Sequence, residues 1–507
     1  MQGQADPQQG FYDTMAVCGH LIPEGSVHRF LAEHREELFP PGLFSDLYPS
    51  DTGRPSVPPG VVATVILLQA LEGLSDREAI ERLARDVAWK AACGLSLAEE
   101  PFHPTVLTYF RRRLRASERP ERIFEAVREV VHRTGVLRGR DRRALDSTLL
   151  EDAVATQDTV TQIASAIRRT RRVVPELGSV PLDAHDYSRP GKPECDWSDP
   201  EAREALVTSL VNDALALLEA AEGCELTQER EEAVGLLALV SGQDVEPGDE
   251  AGTWRIARRV AHHRVISTVD PEARHAHKSN AQHIDGYKAH VAVEPETGLM
   301  TACDLTPANA ADGPVGVGLL AAEESPRQVI ADSAYGSGET RVTLEAEQHR
   351  LVIKPAPLRA AFPGAFTLDD FTIDLDAGTA TCPAGHTVSI TPTRRADFRS
   401  HCQGCPLRAR CTRAKQGRRL VLTPYHRQLA DARQRARDPG FIATYRTFRP
   451  MVERSIAWLT RNNRKLRYRG TQRNRQWLHH RAAAINLKRL MALGLQHTLN
   501  GWSLAAG

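Results

Sequence analysis

Between Gly286 and Pro355 the chain leaves little choice of architecture. Gly286–Pro295 (GYKAHVAVEP) and Leu299–Leu305 (LMTACDL) read as strands joined by a turn at Glu296–Gly298. Val315–Glu323 then reads as a helix, Gln328–Ala331 (QVIA) as a strand ending at Asp332, Glu339–Gln348 as a helix and Leu351–Pro355 (LVIKP) as a strand. Two adjacent strands followed by strand–helix alternation predict a mixed α/β sheet. Ala144–Leu150 (ALDSTLL) predicts one more strand, with Asp146 inside it.

Other segments surround this core. Residues 1–120 read as a helical domain: an apolar run Val61–Leu74 after Pro58 and Pro59, a capping box Ser75/Glu78 opening a helix from Asp76 to about Cys93, and a helix Thr105–Arg115 after Pro104. The last of these carries Arg111, Arg112, Arg113 and Arg115, and is either a helix-turn-helix-like DNA reader or a solvated basic face. Residues 140–152 and 264–358 carry the strands. Between them, 153–263 is an acidic insertion with helical periodicity at Glu204–Ala221 and Glu229–Leu239. A Cys-rich insertion spans 366–423, and basic helices span 428–495.

The net charge of +1 hides a strong segregation. From Thr391 to Gly507 there are 26 Lys and Arg against 4 Asp and Glu; the remainder has 39 against 60. A basic tail on an acidic body points to a polyanion partner. Of the 65 basic residues 57 are Arg, the better fork for phosphates and base edges. No apolar run approaches the roughly 20 residues of a membrane helix. The N-terminus (MQGQADPQQG) shows no secretory pattern, so a cytoplasmic, nucleoid-associated location is expected.

Three carboxylates stand out. Asp146 interrupts an apolar strand, where a carboxylate is costly unless it meets a metal or a strong donor. Asp332 ends a strand and enters a Gly-containing loop (ADSAYGSGE), a place for either a ligand-binding carboxylate or a helix cap. Glu453 is the only acidic residue from Phe441 to Gly507, amid Arg446, Arg449, Arg454, Arg461, Arg464 and Lys465. Tyr445, Arg449 and Glu453 share one helical stripe, although Pro450 predicts a kink or restart just before Glu453. Asp270 and Asp312 are alternative carboxylates. Hard oxygen ligands of this kind suit two Mg²⁺ ions about 3.5–4 Å apart, the device that cleaves phosphodiesters.

Separately, Cys382, Cys402, Cys405 and Cys411, with His386 as a possible substitute for one of them, read as a structural Zn²⁺ site. The other cysteines, Cys18, Cys93, Cys195, Cys224 and Cys303, read as buried thiols. His275, His277, Lys278, His283 and Lys288 either line a DNA path or are solvated. Trp458 and Trp477 either stack on bases or pack in the core.

The runs ALDSTLLEDAVATQDTVTQ, STVDPEARHAHKSNAQHIDGYKAHVAVEPETGLMTACDLTPANAADG, ADSAYGS and YRTFRPMVERSIAWLTRNNRKLRYRG, in this order, resemble the DDE transposases of bacterial insertion sequences, as does LFPPGLFSDLYPSDTGRPSVPPGVVATVILLQALEGLSDREAIERL near the N-terminus. The resemblance implies an RNase H-like catalytic core with a helical N-terminal domain, an acidic helical insertion and a zinc-ribbon-like insertion. It implies Asp146, Asp332 and Glu453 as catalytic ligands of two Mg²⁺ (or Mn²⁺) ions. DNA, as terminal inverted repeats and target, is the implied partner, bound by a homodimer or larger assembly. Arg111, Arg112, Arg113, Arg115, Arg449, Arg454, Arg461, Arg464 and Lys465 are the expected DNA-binding residues. The family's Tyr–Arg–Glu–Lys signature is partly kept: Arg449 lies four before Glu453, Tyr445 is one residue further away than usual, and Thr460 with Arg461 stands at the Lys position. The competing functions are an inactivated DNA-binding relative and an RNase H-like nuclease without strand transfer.

Overall fold

The computed structural model describes residues 1–4, 12–50, 52–189, 191–259, 261, 263–279 and 282–505. At its centre is a six-stranded mixed sheet. Its strands are β1 (Arg142–Glu151), β2 (Arg274–Ser279), β3 (Gln282–Glu294), β4 (Leu299–Pro307), β5 (Gln328–Ala331) and β6 (Arg350–Ile353). The order is β2–β3–β1–β5–β6, and β4 pairs with β3 as well. β1 runs antiparallel to β3, with Asp146 opposite Val291, and parallel to β5. β5 and β6 are also parallel. The carboxyl ends of β1, β5 and β6 therefore share one edge of the sheet. The turn expected between β3 and β4 is present, and Gly298 takes the left-handed φ of 74° that a side chain would resist.

Helices cover both faces. On one face, Leu145, Val329 and Ala331 pack with Leu319, Leu320, Tyr335 and Leu344 from the helices Asp312–Leu320 and Gly338–Ala346 and the turn between them. On the other, Ala144, Leu150 and Val291 join a large core with the N-terminal helices and the C-terminal tail. The helix Pro59–Glu72 is buried on all sides, from Val61 to Ala70. Ser75 and Glu78 form the capping box: Ser75 N–H donates to Glu78 Oε2 (2.6 Å) and Glu78 N–H to Ser75 Oγ (3.2 Å). The single helix expected from Asp76 to Cys93 is in fact two, Asp76–Arg85 and Val87–Cys93. Asp86 is extended between them, and its carboxylate accepts from Ala88 N–H at 2.9 Å to start the second.

The basic tail is partly interior. Helix Thr471–Ala492 packs against β4, Pro59–Glu72 and Arg122–Arg133, burying Ala482, Ala483, Ala484, Leu487 and Leu490. Arg481 is buried with it and donates to the carbonyls of Leu71 (2.7 Å) and Trp458 (2.8 Å). Its charge caps two helix C-termini, where carbonyls lack intrahelical donors. Helix Pro439–Thr460 runs without a break through Pro450, so the predicted restart before Glu453 does not occur. A hairpin, Leu495–Thr498 with Gly501–Leu504, follows; sequence reading missed it.

The acidic insertion has its own core. Thr159–Val173, Pro200–Ala221 and Gln228–Gln243 bury Ile163, Ile167, Leu210, Leu217, Leu237 and Val240 among themselves. The first of these helices was not anticipated. The Cys-rich segment folds as a three-stranded sheet and a two-stranded ribbon. Among the described residues, no helix is long and apolar enough to cross a membrane.

At the end of β1, Asp152 is buried with one oxygen, Oδ2, lacking a donor. Burial and the nearby Asp270 raise its carboxyl above the usual range. Asp270 is better served, accepting from Tyr287 Oη–H (2.7 Å) and Gly470 N–H (2.9 Å). A carboxyl whose folded value is raised destabilises the fold above that value, and the penalty fades as pH falls towards the unfolded value. Asp152→Asn is therefore expected to raise Tm at pH 7, by on the order of 2 °C, and to give no gain at pH 3.5. Thermal scans at the two pH values check this; a loss of stability at pH 7 would contradict it.

Candidate active site

Three segments distant in sequence meet beside β1. Asp146 points from β1 towards helix Pro439–Thr460, Asp332 follows the last residue of β5, and Glu453 lies on that helix. The strand alternation that buries Ala144 and Leu150 in the tail-facing core puts Asp146 on the same face. Between the three carboxylates stands Arg449. Its Nη2 is 2.7 Å from Asp146 Oδ1 and 3.6 Å from Asp332 Oδ2, and its Nε is 3.5 Å from Glu453 Oε1. Its Nη1 donates to the Leu145 carbonyl of β1.

Exposure is graded across the site. The side chain of Arg449 is 7 % exposed, Asp146 14 %, Asp332 42 % and Glu453 62 %. Burial raises the Asp146 carboxyl, and Arg449 and the Ser147 N–H only partly offset that. Burial works against the Arg449 charge too, but Asp146 and then other neighbours including Asp332 outweigh it and hold the guanidinium above its usual value. One cation is shared by three anions, so each carboxylate is only partly neutralised. Asp332 also caps the turn that follows it, accepting from Ala334 N–H at 2.9 Å. It is thus a cap, but of the short Ser333–Tyr335 turn; the helix that follows is capped by Ser337.

Tyr445 belongs to the site. Burial raises its hydroxyl, and Asp332, Glu453 and Asp146 add to the rise, so it faces the same carboxylates. Lys354, just past β6 on the same sheet edge, sets its Nζ 4.2 Å from the centre of the Tyr445 ring. Lys354 was missed from sequence; its signal was a lone lysine at the carboxyl end of an apolar strand. Asp312 is 3.2 Å from Lys288 Nζ and 3.5 Å from His290 Nδ1, and among the described residues it forms no ion pair with Arg449. Burial, with Lys288 nearby, pushes the His290 imidazole down to about 4. Asp270 lies with Asp152 beyond the end of β1, apart from the Arg449 cluster.

The basic residues divide. Arg111 is a correction: its side chain is 7 % exposed and committed to Asp76 and to Gln69 Oε1 (3.2 Å), so it holds two helices together and presents nothing to DNA. Arg449 is likewise enclosed by carboxylates and is not a phosphate contact here. Arg115 is half-buried and donates to Gln476 Oε1 at 2.6 Å. Arg112, Arg113, Arg454, Arg461, Arg464 and Lys465 are exposed. The Arg464–Leu466 loop is tied to the end of β1, with Glu151 N–H donating to Arg464 O (2.9 Å) and Leu466 N–H to Glu151 O (2.8 Å). The exposed charges of that loop thus lie at the carboxyl end of the strand that carries Asp146. Trp458 and Trp477 pack against the main core. The Lys278 side chain lies outside the described residues.

Cys382, Cys402, Cys405 and Cys411 line one small cavity of about 20 Å³ together with His386 and His401. Burial, and also Cys402, Cys382 and Cys405 nearby, raise the Cys411 thiol. Cys402 Sγ accepts from Arg418 N–H at 3.3 Å. Four soft ligands lining one cavity suit the donor chemistry of Zn²⁺, although no three of their sulfurs lie within 4.8 Å of one another. Of the isolated cysteines, Cys93 and Cys303 are buried as expected, whereas Cys18, Cys195 and Cys224 are half-buried. A wider cavity of about 890 Å³, beside Trp502 and Glu323, holds none of the predicted site residues.

Two family models match the chain. One, described as a transposase DDE domain, covers residues 381–491; the other, a transposase domain (DUF772), covers residues 17–113. The first spans Glu453, Arg449 and the four clustered cysteines, while Asp146 and Asp332 lie outside it. No curated protein and no solved structure matches. The two matches give the chain a transposase DDE domain and an N-terminal DUF772 transposase domain, a pairing typical of insertion-sequence transposases.

Proposed function

We propose that this transposase cuts DNA at the ends of its element and joins the freed 3′-hydroxyl to target DNA, with Asp146, Asp332 and Glu453 as the catalytic carboxylates. The observation that carries this reading is their convergence on one buried guanidinium from three segments far apart in sequence. The sheet order, with β1 flanked by antiparallel β3 and parallel β5, agrees with an RNase H-like core. The donor set also fits a pair of Mg²⁺ ions: all oxygens, incompletely neutralised, with Asp332 and Glu453 open to solvent. Held by Asp146, Asp332 and Glu453, such ions would supply charge stabilisation for phosphodiester cleavage.

The chain's own residues do the rest. Arg449 spaces and orients the carboxylates from beneath. Arg454, Arg461, Arg464 and Lys465 hold the DNA backbone near the scissile phosphate, and Arg112 and Arg113 extend the contact from the N-terminal domain. Each phosphate contact releases about one counterion, so end binding should weaken steeply with salt. The test uses purified protein and oligonucleotides carrying the inverted repeats that flank the reading frame. Nicks that need Mg²⁺ and joined products with target DNA support the proposal. Binding without nicking would make it a DNA-binding relative, and nicking without joining a nuclease.

We also propose that Cys382, Cys402, Cys405 and Cys411 hold a structural Zn²⁺, which stabilises a segment with few buried apolar side chains. A Cys402→Ser/Cys405→Ser protein should carry one zinc equivalent fewer by elemental analysis and expose 366–423 to protease. Unchanged zinc content would refute the assignment.

A further inference from the structure

The β2–β3 hairpin gathers three histidines on one face. His275 and His277 lie two residues apart on β2, so their side chains leave the same side of the strand. β3 sets His283 opposite His277 and Asp285 opposite His275. A ring nitrogen of each histidine lies within 4.8 Å of those of the other two. The ring centres are 4.8 Å (His275–His277), 5.3 Å (His275–His283) and 4.5 Å (His277–His283) apart. All three are exposed, so no apolar packing explains their crowding. Protonated imidazoles at such separations repel each other, whereas a shared cation of borderline softness draws them together.

A second feature points the same way. His275 Nδ1 meets Asp285 Oδ1 at 2.6 Å, and Thr156 Oγ1–H donates to the other Asp285 oxygen. A carboxylate behind one ring nitrogen fixes the tautomer and leaves the other lone pair for a metal.

We propose that His275, His277 and His283 form a binding site for a transition-metal ion of the Zn²⁺ class, separate from the carboxylate centre and the cysteine cavity. Three neutral imidazoles and a solvent molecule complete a tetrahedral set. The site would brace a junction. Asp152 N–H donates to Asp285 O at 2.9 Å and Glu151 pairs with Gly286, so the hairpin is tied to the end of β1 where the acidic insertion departs and the Arg464–Leu466 loop docks.

The experiment uses untagged full-length protein stripped of metal and titrated with Zn²⁺, then with Co²⁺. The Cys402→Ser/Cys405→Ser protein is compared with the same protein also carrying His277→Ala and His283→Ala. The histidine changes should remove one equivalent of Zn²⁺ and abolish the Co²⁺ d–d spectrum of nitrogen ligation, while the metal-free melting temperature stays the same because the positions are exposed. In wild type, Zn²⁺ should slow hydrogen exchange at 152–157 and 274–285, and this effect should be absent from the histidine variant. Equal metal uptake with and without the histidines, or exchange in these segments that ignores Zn²⁺, overturns the proposal.

Discussion

Arg449→Ala is expected to lower stability by about 3–5 kcal/mol, the usual cost of breaking a buried ion pair by removing one partner. The guanidinium is the cation shared by Asp146, Asp332 and Glu453, and it also ties the helix to the Leu145 carbonyl of β1. Without it, Asp146 is left buried among like charges. Two further variants separate charge from geometry. Arg449→Lys keeps the charge but loses the planar fork, so it should fall between wild type and alanine. Adding Asp146→Asn to Arg449→Ala should recover part of the loss, because the stranded charge is gone. Denaturant unfolding of the set measures this. A loss within the 0–1 kcal/mol of an exposed pair would mean that Arg449 is a surface partner of Glu453 and nothing more.

The second large effect is on chemistry. Asp146→Asn should reduce Mg²⁺-dependent cleavage on the order of 10³-fold or more, since several kcal/mol of transition-state stabilisation pass through a metal ligand. Stability should change little: the amide oxygen can still accept from Arg449 and from Ser147 N–H (2.9 Å in the wild type), and the burial penalty on the charge is removed. End binding should persist, because the exposed Arg454, Arg461, Arg464 and Lys465 are untouched. Nicking assays and gel shifts on one preparation read both quantities. Cleavage equal to wild type would remove Asp146 from the catalytic set.

Much of this site was readable because its residues break local rules. A carboxylate inside ALDSTLL, another closing QVIA, and a lone Glu in a basic helix are each costly or odd where they stand. The role of Arg449 was not readable. At i and i+4 from Glu453 it looks like an ordinary surface pair, and only the long-range contact with β1 makes it a buried hub. Arg111 was misread for the opposite reason. It falls on the stripe of Leu107, Phe110 and Leu114, all buried, so helical position outweighed its charge. The interior place of Thr471–Ala492 was masked by its arginines: Arg481 is satisfied by carbonyls of two other helices and Arg489 by the carbonyl of Thr297 in a strand turn. The split at Asp86 was missed because an Asp in mid-helix and an Asp starting a new helix look alike without φ and ψ.

The packing of that last helix against Pro59–Glu72 has a consequence for how the protein is made. A helix buried on all sides near the start of the chain finds one of its walls only near the end. While the ribosome is still translating, the N-terminal domain stands open, with Val61 to Ala70 in need of cover. The same final stretch delivers Glu453 and Arg449, so closing the domain and assembling the carboxylate cluster belong to one late event. A nascent chain stopped before residue 439 has neither.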